Sequence, residues 1–237
     1  LSGSLVNFQN IPGALSHAIS IAAEKSSIDI VLIDLSPSLG SLNQNLLMSS
    51  DGFIIPMAPD FFSGMALRSL STVLPAWANW SASASNHQIL RSADYPWRQR
   101  LPKYVGSIVQ NYRRRSREGH EVRPTRAFQK WFRELEEIMH EPLMQSFQQA
   151  GLLLELSSYD KCCAPSEKFL VEVPDFNSLI AISQDLSKPV FSLTKDEIKT
   201  SGSVASNQLA NVEQFNGIYD GAAQKIKTLA EEIKSAF

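Results

Sequence analysis

The stretch that most constrains this chain is Ile28-Asp29-Ile30-Val31-Leu32-Ile33-Asp34. A β-branched run of strand length that is apolar nearly throughout, rather than alternating, predicts a central strand covered on both faces, as in a parallel sheet. Neighbouring segments fit that frame. Ala14 to Glu24 places Leu15, Ala18, Ile19, Ile21 and Ala22 at helical spacing. Leu42 to Ser50 reads as a short helix, Gly52 to Met57 as a second buried strand, and Gly64 to about Ala82 as another helix. Strands alternating with helices imply βαβ crossovers, so the fold class is α/β: a doubly wound, mostly parallel sheet flanked by helices.

Further along, 83 to 102 is polar and turn-rich and reads as a loop. Tyr104 to Val109 is a third strand, and the basic stretch Asn111 to Arg123 follows it. Thr125 to Ala150 has helical periodicity through Phe128, Trp131, Phe132, Leu135, Ile138 and Met139. Leu152 to Leu156 is a candidate short strand, and a loop holds Pro165 and Pro174. Asn177 to Leu186 is read as helix, Pro189 to Leu193 as extended and Asn207 to Ala236 as a long terminal helix. With 237 residues and no internal repeat, the chain is read as one domain over 1–237.

Composition excludes several classes. At 43% hydrophobic and 19% charged residues, the chain is neither disordered nor fibrous. No apolar run approaches the roughly 20 residues of a membrane span, and a cytoplasmic location is the expectation. Cys162 and Cys163 are neighbours, unable to staple distant segments and too few for a four-ligand zinc site. The net charge of -2 conceals a polarity: residues 91–133 hold 12 of the 22 Lys/Arg and three of the 24 acids, leaving 10 against 21 elsewhere. Such a basic region suits a polyanionic partner.

Asp34 opens the turn Asp34-Leu35-Ser36-Pro37-Ser38-Leu39-Gly40. An acid at the carboxyl end of a parallel strand sits at the sheet's ligand-binding edge, where it can hold a magnesium-bound water beside nucleotide phosphates. The bland alternative is a strand that merely ends in an acidic, proline-containing turn. The longer stretch Ile28 to Leu70 resembles the ParA/MinD family of P-loop ATPases, with Asn45, Asp51, Pro56, Pro59, Phe62, Ser63 and Leu67 at places the family pattern marks. Ser36 departs from that pattern by replacing its first proline.

The resemblance implies ATP and Mg²⁺ as cofactors, Asp34 as the magnesium-side carboxylate acting through water, and Pro37 to Gly40 as the γ-phosphate switch. It also implies Asn111 as reader of the base, with Pro174 and Asp175 flanking it; a strand-end turn and a plain surface turn are the alternatives for these residues. A homodimer formed on ATP binding, a ParB-like activating partner and a role in DNA partition or cargo positioning follow from the same likeness. Arg113, Arg114, Arg115 and Arg117 are the candidate nucleic-acid contacts, in a nucleoid-associated setting; a solvated loop balanced by Glu134, Glu136 and Glu137 is the alternative.

The family's glycine-rich loop, Lys-Gly-Gly-x-Gly-Lys-Thr, is not found in these 237 residues; its place would be upstream of Leu1. The reading is therefore of the C-terminal portion of such an ATPase, not expected to hydrolyse ATP alone. A non-catalytic scaffold retaining the fold is the competing function. A hydrolase using Ser36 or Ser38 lacks the Gly-x-Ser-x-Gly elbow, and His17, His87, His120 and His140 show no pairing. The C-terminal segment from Lys225 mixes acids with lysines, so it is read as a packing helix rather than a membrane anchor.

Overall fold

The computed structural model describes residues 2–115, 123–162, 169–198 and 202–236. In chain order the elements are α1 (Ser2–Lys25), α2 (Ser41–Ser49), β1 (Gly52–Met57), α3 (Phe61–Asn86), α4 (Gln88–Arg91) and β2 (Lys103–Tyr112). The two-residue strands β3 (Arg114–Arg115) and β4 (Arg123–Pro124) pair with each other, and α5 (Arg126–Ile138) follows. A π-helical turn (Met139–Met144) leads into α6 (Gln145–Gln149), α7 (Leu156–Asp160), β5 (Val171–Pro174), α8 (Leu179–Asp185) and α9 (Gly202–Ser235).

Among the described residues the main sheet has three strands in the order β1-β2-β5, parallel throughout. Each face carries its own core. Phe53, Ile55, Tyr104, Val109 and Tyr112 pack against Leu67 and Leu74 of α3, Phe132 and Leu135 of α5 and Phe147 of α6. On the other face Ile54, Val105, Val171 and Val173 meet Leu179 of α8 and Phe215, Leu229 and Ile233 of α9. Both faces are covered, as a parallel sheet requires.

Two register slips interrupt β2, one against β1 and one against β5 between Gln110 and Tyr112, and the first changes which residues face which core. Val105 and Ile108 lie in the same core although three residues apart, which the two-residue period of a strand forbids. The register slips here: Phe53 pairs with Tyr104, but Ile54 pairs with Gly106. Gly106, at φ 148°, absorbs the extra residue; a Cβ there would stand 2.9 Å from the Leu170 Cβ.

The structure corrects several expectations. Ile28–Asp34 is not a covered central strand: it carries no ladder, and Leu32 is 80% exposed, with Ile28, Ile30, Val31 and Ile33 also exposed. The reason lies in pairing, since β1 is bonded only to β2 and no described strand lies along its other edge. An extended run without neighbours on either edge leaves its amides to water. The expected helix over Thr125–Ala150 breaks at Glu141, which has extended φ/ψ before Pro142. Leu152–Leu156 forms no strand, although the Leu152 carbonyl accepts from the Tyr104 amide at 2.7 Å. Pro189–Leu193 contains a 3₁₀ turn, and the supposed loop before Pro174 contains β5.

The terminal helix packs by Leu229 and Ile233, in keeping with its expected role. No helix of the described residues is long and apolar enough to cross a membrane. Cys162 is buried, and Cys163 and Pro165 lie outside the described residues.

Candidate functional site

The carboxyl ends of β1, β2 and β5 define the edge where open parallel sheets bind ligands. Two groups of side chains matter here, and no hydrogen bond, ion pair or ring contact among the described residues joins them.

The first is the turn after the unpaired run. Asp34 is exposed, with no hydrogen-bond partner among the described residues. Beyond it, Ser38 N–H donates to the Ser36 carbonyl at 2.7 Å, closing a tight turn around Pro37. Gly40 then serves as N-cap of α2, in extended conformation. The turn is held from below by Asn43, buried in the first turn of that helix: its Nδ2 donates to the Ser36 carbonyl at 2.6 Å and to the Ser38 carbonyl at 2.7 Å. Sequence reasoning singled out Asn45 instead. Asn45 reaches the other way, donating to the Pro12 carbonyl of α1 at 2.9 Å, and its Oδ1 is buried without a partner. The available signal was the three-residue step from Gly40 to Asn43, which puts a carboxamide in reach of the preceding turn's carbonyls.

α1 makes a close approach to the loop between α4 and β2. At Gly13 a Cβ would stand 2.1 Å from the Tyr95 carbonyl oxygen. Asn10 Nδ2 donates to Asp94 Oδ2 at 3.0 Å, and the His17 and Tyr95 rings stack at 4.3 Å. Beyond these contacts Phe8, Ile11 and Leu15 form an exposed apolar stripe.

The second group surrounds a cavity of about 380 Å³ where β2 and β5 end. Tyr112, Arg113 and Arg114 line one side, Pro174, Asp175 and Asn177 the next, and Asn211, Gln214 and Phe215 of α9 close it. Pro174 and Asp175, which the sequence reading named, are among these lining residues. Asn111, left-handed at φ 61° and exposed, is not among the lining residues. Asn and Asp tolerate that conformation better than other side chains.

Tyr112 is buried, and its hydroxyl donates to Glu172 Oε2 at 2.9 Å while accepting from Arg114 Nη2 at 2.8 Å and Nε at 3.1 Å. Burial pushes the Tyr112 phenol up to about 12, against the pull of the Arg114 hydrogen bond, so it stays protonated and can keep donating to Glu172. Arg114 is therefore tethered over the Tyr112 ring rather than projecting freely.

That bears on the basic region. Arg98 pairs with Asp51 at 2.7 Å and donates to the Ser49 carbonyl, Arg100 also meets Asp51 at 3.5 Å, and Lys103 donates to the Gly151 carbonyl at 2.7 Å. Arg113 is 76% exposed and only 3.8 Å from Asp175, a surface pair of little energetic consequence. On α5, Arg126, Lys130 and Arg133 are exposed. Arg117 lies outside the described residues, as does the side chain of Arg115. Among the aromatics of this region, Trp97 is buried and donates to Ser81 Oγ at 2.9 Å, Tyr112 is buried as described, and Trp131 stands edge-on to Phe61 with ring centroids 6.2 Å apart.

Residues 4–81, about a third of the chain, match the model of a family described as an AAA domain. The match takes in the turn after Asp34 and the whole of Ile28–Leu70, and it supports a nucleotide-binding, ATPase-like function at that level. No curated protein and no solved structure matches the chain.

Proposed function

We propose that this chain forms the greater part of a ParA-like, ATP-dependent dimerising switch, whose glycine-rich phosphate loop belongs to a strand outside these 237 residues. The observation that carries the reading is a paired vacancy in the sheet. Within the matched region, and among the described residues, an apolar run ending in Asp34 has no ladder partner, and the outer edge of β1 has none either. One further parallel strand between them would satisfy both sets of backbone groups and cover Ile30–Ile33. It would also deliver its loop to the edge where Asp34 stands.

The donor set fits such a partial site. Asp34 is a single free carboxylate, and no group of three His, Cys, Asp or Glu side chains suited to a metal occurs among the described residues. Mg²⁺ is commonly held by one or two carboxylates together with substrate phosphates and water, and when bound it neutralises charge on the transferring phosphoryl group. Asp34 would orient one of its waters. Asn43 fixes the carbonyls of Ser36 and Ser38, so a displacement of Pro37–Gly40 would be passed directly to α2. The base would lie in the cavity beside Pro174 and Asp175.

ATP turnover by the protein carrying its glycine-rich loop tests the proposal. Asp34→Ala is expected to reduce turnover at least a hundredfold with little loss of stability, because the side chain is exposed and unpartnered. Turnover equal to that of the parent would remove Asp34 from the site.

The local excess of basic residues supports non-specific DNA binding by the switch, through Arg113, Arg114, Arg115 and Arg117, with Arg114 exchanging its Tyr112 hydroxyl for a phosphate. If these four neutralise one phosphate each, log affinity should fall with log salt at a slope of about -3.6. Replacing the four by Ala should flatten that slope; an unchanged slope would assign the segment to protein docking or solvation.

A further inference from the structure

Asn43 spends both hydrogens of its carboxamide on the turn after Asp34. Its Nδ2 donates to the Ser36 carbonyl at 2.6 Å and to the Ser38 carbonyl at 2.7 Å, while the hydroxyls of Ser36 and Ser38 stand farther off at 3.2 and 3.4 Å. The Ser36 hydroxyl reaches the Asn43 Oδ1 at 3.4 Å, too long for a strong bond. The opposite setting of the carboxamide would press its oxygen against two carbonyls, so the donor end must face the turn. Asn43 is only 6% exposed, so water competes little for these bonds.

The consequence falls on an amide that Asn43 does not touch. Ser38–Leu39 is a trans peptide, Glu141–Pro142 being the cis bond among the described residues. In a planar trans peptide the carbonyl and the following N–H point in opposite directions. Holding the Ser38 carbonyl toward α2 therefore turns the Leu39 N–H away from it, to the exposed side of the turn. Pro37 has no N–H, and that of Ser38 is taken by the Ser36 carbonyl at 2.7 Å. The Leu39 N–H has no acceptor among the described residues. A backbone N–H fixed in this way, on the turn that carries Asp34, can donate to an oxyanion without reorganising. We propose that Asn43 is a positioning residue, which keeps the Leu39 N–H aimed at a phosphoryl oxygen by holding the Ser36 and Ser38 carbonyls from behind. The inference rests on the ATPase reading above and adds to it the side chain that sets the shape of the turn.

Asn43→Asp tests this with the side-chain shape kept. Position 43 lies in the first turn of α2, where an acid suits the helix dipole, but a carboxylate cannot donate and would face two carbonyls. By NMR of the 237-residue chain, the Asn43 NH₂ protons should exchange slowly with water, and the Ser38 N–H should exchange about tenfold faster in Asn43→Asp than in the parent. Asn45→Ala, which removes the carboxamide directed at α1, should leave Ser38 exchange as in the parent. In the protein carrying the glycine-rich loop, Asn43→Asp should lower kcat for ATP about tenfold or more with KM little changed. A parental kcat in the folded Asp variant, a change confined to KM, or unaltered Ser38 exchange overturns the assignment. Rapid exchange of the Asn43 NH₂ protons in the unsubstituted chain also overturns it, and that measurement needs no variant to fold. Absence of ATP turnover in the unsubstituted protein instead overturns the ATPase reading, while the exchange measurements still decide whether Asn43 sets the turn.

Discussion

Ile30–Ile33 and Val105–Val109 are both rich in β-branched residues, yet their fates differ. The second is the middle strand of the sheet, paired on both edges and packed into both cores. The first is unpaired and exposed, within reach of neither core. Apolar, β-branched composition therefore sets the capacity to be a strand, while ladder partners on both edges decide whether that capacity is used.

The difference can be broken most severely by charge. Val109→Asp places a carboxylate among buried apolar groups with no partner, and should cost about 4 kcal/mol or more in denaturant unfolding. Val31→Asp, on an exposed residue, should change stability by no more than about 0.5 kcal/mol. Comparable losses at the two sites would mean that Ile28–Asp34 is packed. A smaller effect sharpens the account of β2 itself. Gly106→Ala combines an unfavourable φ with a Cβ pressed on Leu170, and is expected to cost about 1–3 kcal/mol in the same measurement. A neutral substitution would show that the bulge relaxes freely and does not set which residues face which core.

Much of the sheet was legible. Gly52–Met57 matches β1, and the third strand was found but ended at Val109, because Gln110, Asn111 and Tyr112 look like a polar strand end; Tyr112 is in fact buried and paired with Pro174. β5 was missed although Val171 and Val173 are buried and Glu172 points out, a correct alternation only four residues long and ending in proline. The expectation for Ile28–Asp34 failed for a reason composition cannot express, since periodicity describes faces and says nothing of edges. Pro174 and Asp175, singled out through a family pattern, line the cavity at the ends of β2 and β5. Asn43 belongs to a helix whose spacing advertises only packing, and its part in holding the turn depends on which carbonyls the fold brings opposite it.

Amide hydrogen exchange along residues 28–57 and along β2 tests the central claim most directly, compared between the 237-residue chain and the protein that carries the glycine-rich loop. In the former, amides of Ile30–Ile33 should exchange near the unprotected rate while those of Val105–Val109 are strongly protected. In the latter, Ile30–Ile33 and the outer edge of β1 should gain protection together, as one strand fills the space between them. Strong protection of Ile30–Ile33 in the 237-residue chain, or protection there without any change along β1, would contradict the account.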